Sequence, residues 1–411
     1  MIKISILMLT MASVSSYAGG IGAPLNISSA SVLPKGVRNL TYKGVAASPS
    51  DKFNSSGQQV VLADPFFSEI TFANLLDGTK DPNDKGLIEA KMIEMGASLE
   101  DSLGSVKGQV NIEVQANVPV FAWGITERFT AAVAIPVTRS SVNIDTGVDH
   151  KNPALHAALK QKTNIAPDKQ VETFTKLNDP VNEKVKEYNY EPLQNETTTK
   201  LGDIKLVGKY KTYEDAKNVV TLGAEVTLPT GEEENPNKVI DVPGGDGQTD
   251  IGLNIAHDLI LGKFVLASSL GYTVQFSDTV EKRIPFNGLS KLSPDSDNNV
   301  KRDLGDIFQA SLGAKYGFSG VTLGTAYSLQ YKQADTYKGS KYEQSRYDYL
   351  AQDSVQNMQA ALFSVGYDTI GLYRAKKFPV PLSLNLTHTR VLSGKNVVKD
   401  PFTTLDFSLF F

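Results

Sequence analysis

Apolar and polar residues alternate along this chain in one segment after another. A period of two marks a strand whose two faces meet different surroundings. Val110, Ile112, Val114, Ala116 and Val118 share one face, while Asn111, Glu113, Gln115 and Asn117 share the other. The pattern returns as Val220, Leu222, Ala224, Val226 and Leu228 against Thr221, Gly223, Glu225 and Thr227. It returns again as Val380, Leu382, Leu384 and Leu386 against Ser383, Asn385 and Thr387. The whole chain reads as twelve strands, near 37–46, 108–122, 127–145, 202–213, 217–229, 249–259, 263–277, 304–318, 320–335, 353–368, 378–392 and 402–411. Most are about ten residues or longer. Soluble strands average five or six, whereas a tilted strand that crosses a bilayer needs this length.

The connections alternate in length. Short turns fall at 123–126, 213–217, 260–262, around Ser319 and at 370–377. Long loops fall at 47–107, 146–201, 230–248, 278–303, 336–352 and 393–401. Short turns at one end and long loops at the other are the habit of outer-membrane barrels, whose long loops face outward. Composition, with 33 Gly, 18 Phe and 16 Tyr, suits such a barrel but suits a soluble sandwich equally.

There is no apolar run long enough for a membrane-spanning helix after the first residues, so a membrane-embedded form must be a closed barrel, which pairs every backbone polar group in lipid. The chain has no Cys, which excludes disulfides, thiolate metal sites and lipid attachment through cysteine. The formal net charge is −4 and no basic stripe with interleaved aromatics occurs, so no nucleic-acid partner is expected. Residues 1–18, with Lys3, the apolar run Ile4–Ala12 and small residues before Gly19, read as a secretory signal peptide. The expected fold class is therefore an all-β, antiparallel transmembrane β-barrel of about twelve strands at 19–411, with long, partly helical extracellular loops, in a bacterial outer membrane.

The last strand places Leu405, Phe407, Leu409 and the terminal Phe411 in one phase. A terminal aromatic on an amphipathic strand resembles the signal read by outer-membrane assembly machinery, an expected partner beside membrane lipid and lipopolysaccharide. Residues 65–98 and 153–191 contain helix-like stretches. The loops that hold them, 47–107 and 146–201, are long enough to serve as a lid or plug, or to stand as mobile surface loops.

Several phrases together resemble a known family. They are GITER at Gly124–Arg128, LGDIKLVGKY at Leu201–Tyr210, VTLPTG at Val226–Gly231, GGDGQTDIGL at Gly244–Leu253 and RDLGD at Arg302–Asp306. They are similar to outer-membrane transporter-like proteins associated with the phenol meta-degradation pathway, grouped loosely with the long-chain fatty-acid channel superfamily. The resemblance implies passage of small hydrophobic or aromatic molecules. The asparagine-proline-alanine hatch motif of the fatty-acid channels is absent from the N-terminal region.

If apolar faces meet lipid, the opposite faces line the lumen. That assigns Glu113, Lys205, Lys209, Glu225, Lys315, Lys332 and Asp406 to a pore lining, either as a salt-bridged filling or as charges that set selectivity. Asp241, Asp246 and Asp250 lie in or beside a Gly-rich acidic stretch that could offer oxygen ligands to calcium. A solvated acidic loop explains them as well, and neither metal nor cofactor is expected. His150, His156, His257 and His388 are the only histidines; the first two lie in the long loop, His257 and His388 share the phase of apolar neighbours, and His388 lacks a nearby serine pattern. An enzyme is not expected. The function expected is a monomeric channel for passive uptake of small molecules, with a non-conducting structural or surface-recognition barrel as the alternative.

Overall fold

In a computed structural model the chain closes into a single antiparallel barrel; the structure describes residues 29–62, 68–73, 76, 82–149, 185–288 and 292–411. The signal peptide, His150, His156 and most of the helix-like stretch in loop 146–201 lie outside the described residues. The twelve barrel strands are β1 (Arg38–Ala47), β2 (Ser102–Gly124), β3 (Phe129–Ala134 continued by Val137–Asp149), β4 (Glu196–Leu201 continued by Lys205–Glu214), β5 (Asn218–Thr227) and β6 (Asp250–Leu261). They continue as β7 (Phe264–Gln275), β8 (Ile307–Phe318), β9 (Val321–Lys332), β10 (Gln356–Asp368), β11 (Leu382–Lys395) and β12 (Phe402–Phe410). Each pairs with its chain neighbour, and β1 pairs with both β2 and β12, so the ring has no free edge. All twelve strands expected from alternation are present.

The outer wall is apolar. Leu253, Leu270 and Leu312 are each more than half exposed. In water such a band would drive association; in a bilayer it is the required surface. Aromatics edge the band at both ends. Phe264 and Tyr316, with ring centroids 4.6 Å apart, stand with Trp123 and Phe318 at the short-turn end. Tyr272, Phe276, Phe308 and Tyr331 stand at the long-loop end. Two such girdles are where amphipathic rings meet the headgroups. Among the described residues no helix is long and apolar enough to cross a membrane.

The wall is not uniform in height. β1 ends at Ala47, opposite Val114, while β2 runs on as far back as Ser102. Its upper part pairs with the upper part of β3, which pairs in turn with the upper part of β4, forming a wall that rises beyond β1 and β5. The breaks in β3 and β4 mark its base. Pro136 has no N–H to give the ladder. Gly202 donates to the Pro136 carbonyl at 2.8 Å, and a Cβ on Gly202 would meet the Pro136 ring at 2.9 Å.

The facing expected for 108–122 is reversed along the whole strand: Val118, Val120 and Ala122, level with β1, are buried inward while Phe121 and Trp123 face out, and the raised part follows the same phase. Its inner positions Val110, Ile112 and Val142 are buried against Val185, Tyr190, Val239, Ile240 and Val242 of the long loops. Its outer positions Asn111, Glu113 and Gln115 are exposed. Above the bilayer the outside is water and the inside is packed loop, so the apolar face turns inward. The long loops also carry elements of their own, one of them within the helix-like stretch 65–98. A helix, α1 (Pro82–Glu94), lies in loop 47–107. Two small three-stranded sheets join Asp51–Phe53, Gln59–Val61 and Val397–Val398, and Asp278–Arg283, Ser296–Asp303 and Thr336–Lys338.

Candidate functional site: the barrel interior

Inward positions of a membrane barrel are closed off from lipid, so charged side chains there must meet water or each other. Of the seven residues assigned to a pore lining, Lys205, Lys209, Glu225, Lys315 and Lys332 are buried on the inner face. Asp406 lies there too, opposite Lys43 on β1. Glu113 does not: it stands on the outer face of the raised wall, opposite Ser141, for the reason given above.

Most interior charges are paired. Lys205 donates to Glu225 at 2.7 Å, from neighbouring strands β4 and β5. Lys332 pairs with Asp335, which also accepts the Gly305 N–H at 2.9 Å. Lys43 stands 3.5 Å from Asp406. Lys209 and Lys315 both lie within electrostatic reach of Asp258 on β6. Asp258 was not among the expected site residues, although it alternates with Ile255 and His257 in the sequence. The alternation signal contained it.

The short-turn end of the barrel is filled by the chain itself. Residues 29–34 run inside it ahead of β1. Ser29 donates its hydroxyl to Asp258 at 3.0 Å, and its carbonyl accepts from Lys209. The Leu33 N–H donates to the Thr130 hydroxyl on β3 at 2.8 Å. Ala30 and Leu33 are fully buried, and Leu33 packs with Ala122, Ile370 and Phe410 across the barrel floor. Gly124 ends β2 beneath this segment. A Cβ there would lie 2.0 Å from the Pro34 carbonyl oxygen, so no larger residue fits while the segment is in place. Nothing in the period-two pattern pointed to residues 29–34, because an inserted segment has no strand periodicity.

At the other end the family-like phrases converge. Asp203, from LGDIKL, accepts the N–H groups of Thr230 at 3.1 Å, Gly231 at 2.8 Å and Asp246 at 2.9 Å. These donors belong to VTLPTG and to GGDGQ. A Cβ on Gly245 would strike the Asp203 carboxylate at 2.2 Å, so the glycine allows the close approach. From RDLGD, Arg302 pairs with Asp278 at 2.5 Å and donates to the Asp246 carbonyl at 2.6 Å, while Asp306 accepts from the Tyr272 hydroxyl at 2.5 Å. In GITER, the Thr126 hydroxyl accepts the Phe129 N–H at 3.0 Å and closes the turn. The phrases thus encode turns and loop latches.

The acidic candidates for a cation separate. Asp241 is committed to Lys200 at 2.7 Å and to the Asn235 N–H at 2.9 Å. Asp246 and Asp250 lie near Asp203 instead. Burial, opposed by the Gln248 N–H and reinforced by Asp203, pushes the Asp246 carboxyl above its ordinary range. Among the described residues no group of three or more His, Asp or Glu is placed to hold a metal ion. His257 meets Asn218 at 3.0 Å and His388 meets Thr403 at 3.1 Å, both in outward phases.

No protein-family model matches the chain, and no curated protein matches it. Solved structures do. A COG4313 outer membrane channel from Pseudomonas putida F1 aligns over 92% of this chain and 97% of its own, with a TM-score of 0.53 and 11% identity. A Pseudomonas aeruginosa FadL homologue aligns over 98% and 96%, with a TM-score of 0.34 and 8% identity. The P. putida toluene transporter TodX aligns over 92% and 90%, with a TM-score of 0.34 and 11% identity. The first likeness establishes a shared fold. Together with the closed ring and its lipid-facing band, it places the protein in the bacterial outer membrane.

Proposed function

We propose that this protein is an outer-membrane channel for passive uptake of small molecules, held closed at its periplasmic end by residues 29–34. The observation that carries this reading is the way the segment is bound. Its polar contacts, Ser29 with Asp258 and Lys209 and Leu33 with Thr130, are ones that water can replace. A segment held by such contacts inside a preformed ring can leave without breaking any ladder between strands. The charges left behind on the wall would keep the path hydrated.

The similarity in fold to an outer membrane channel supports transport over catalysis. The sequence phrases support a relationship to the long-chain fatty-acid channel superfamily and to the group associated with phenol meta-degradation. On that reading the solutes are small and hydrophobic or aromatic. Loop 146–201 is proposed as a further control at the outer mouth, and Phe411 as the assembly signal.

A second reading, a non-conducting recognition barrel, draws on a different observation. Val239, Ile240 and Val242 of one long loop pack with Val185 and Tyr190 of another over the mouth. Planar-bilayer recordings of the mature protein and of a form lacking everything up to Pro34 separate the two. The channel reading expects a clear rise in conductance, and faster equilibration of a small aromatic solute across proteoliposomes, in the shortened form. A folded shortened barrel that passes neither ions nor solute would favour the recognition reading.

A further inference from the structure

The connection between β10 and β11 is the longest at the short-turn end, the end that faces the periplasm in outer-membrane barrels. It carries a short helix, α2 (Ile370–Arg374), and is anchored from both sides. Ile370 is buried in the barrel floor with Leu33 and Phe410. The Thr369 hydroxyl donates to the Val380 carbonyl at 2.7 Å and accepts the Leu382 N–H at 3.0 Å. The platform is therefore fixed, while residues 371–380 between the anchors are all exposed.

Two kinds of side chain share this platform. Leu372, Tyr373, Phe378 and Val380 are exposed apolar groups, continuous in chain with the lipid-facing Tyr367 of β10 and Leu384 of β11. Arg374, Lys376 and Lys377 place three cations in four residues, and none forms an ion pair among the described residues. The nearby acid Asp368 is turned to the Ile370 N–H at 3.1 Å. Lys376 has φ 57°, the left-handed position after a helix that glycine fills at least cost. A lysine held there, at some expense in backbone energy, presents charge where a bare turn would suffice.

We propose that this turn binds the phosphate headgroup of an anionic phospholipid, phosphatidylglycerol, in the inner leaflet of the outer membrane. The apolar groups enter the acyl boundary beside the barrel, and the three cations meet the phosphate at its level. Polybasic groups at a membrane surface act in this way, and Arg offers the phosphate a two-pronged contact.

The test is native mass spectrometry of the full mature barrel in mild detergent, with equal amounts of phosphatidylglycerol and phosphatidylethanolamine. The expected result is a phosphatidylglycerol preference of roughly tenfold, falling close to one in the triple variant R374Q/K376Q/K377Q. K217Q/K263Q, which removes two other cations at this end, should keep the preference. Heat-shifted mobility on gels reports that each variant is folded, and K376Q/K377Q, a milder change, should show an intermediate loss. Equal retention of the two lipids by the native protein, or an unchanged preference in the folded triple variant, would overturn the proposal. Displacement of the lipid by excess soluble glycerol phosphate would do so too, since it would mark a site for free phosphate.

Discussion

Lys43 of β1 and Asp406 of β12 stand directly opposite one another across the seam where the first and last strands meet, 3.5 Å apart on the inner wall. Lys43 is 1% exposed, so its charge has no bulk water to fall back on. An ion pair at the seam costs desolvation, yet it also rewards a single register, because a slip of one residue would turn one of the two charges toward lipid and part the pair.

Removing one partner should therefore be harsher than removing both. K43M should destabilise the barrel by about 3–5 kcal/mol, because Asp406 is left uncompensated, and K43M/D406L should recover most of that loss. Urea unfolding in lipid vesicles, followed by heat-shifted mobility, checks this. Additive losses in the double variant would show that the two charges do not act as a pair.

Gly124 should read out the inserted segment. G124V places carbon where the Pro34 carbonyl lies and should expel residues 29–34 while leaving the β2 ladder intact. The expected outcome is proteolytic access near Leu33 in intact proteoliposomes and raised conductance. A G124V barrel with a protected segment and unchanged conductance would count against the plug.

Facing can be tested at two positions on the outer wall, one of which, Glu113, alternation alone assigns inward. Leu312, midway along β8, meets lipid, and Leu312→Arg should cost about 2–4 kcal/mol near mid-bilayer. Glu113 stands in water on the raised wall, and Glu113→Arg should change stability little. Comparable losses at both positions, measured by unfolding in vesicles of one lipid, would mean that the wall does not rise beyond the bilayer.

The latch around Asp203 should hold the outer loops but not the ring. Asp203→Ala leaves three backbone N–H groups without their acceptor, a loss of about 1–3 kcal/mol confined to the loops. Limited proteolysis should cut within 230–248 in this variant while the barrel keeps its heat-shifted mobility. Resistance equal to the native protein would deny Asp203 the role of latch.

The same loop should respond to pH. Burial raises the Asp246 carboxyl, so the folded loop holds a proton more readily than the free chain does. A raised group contributes stability that is full below its unfolded value of 3.8 and is lost as pH rises through the folded value. Cutting within 230–248 should thus be faster at the alkaline end of a pH series, and Asp246→Asn should flatten the profile. A native profile that is flat, or that runs the other way, would contradict the assignment.

The sequence by itself determined the ring. Period-two alternation, strand length and the grading of loop lengths specify twelve strands and their pairing, because a strand's two faces meet different solvents and each residue reports its own face. It also determined the inward position of Lys205, Lys209, Glu225, Lys315 and Lys332, and of Asp406. Only the tertiary structure decided where the bilayer ends. Val110 and Leu222 are equally apolar, yet one faces packed loops and the other lipid, because β2 outruns its neighbours and no local pattern records height. The structure alone also brought Ser29 to Lys209 and Asp203 to Gly231. Those contacts join residues distant in sequence or set in irregular chain, where neither side of the contact has a period to betray it.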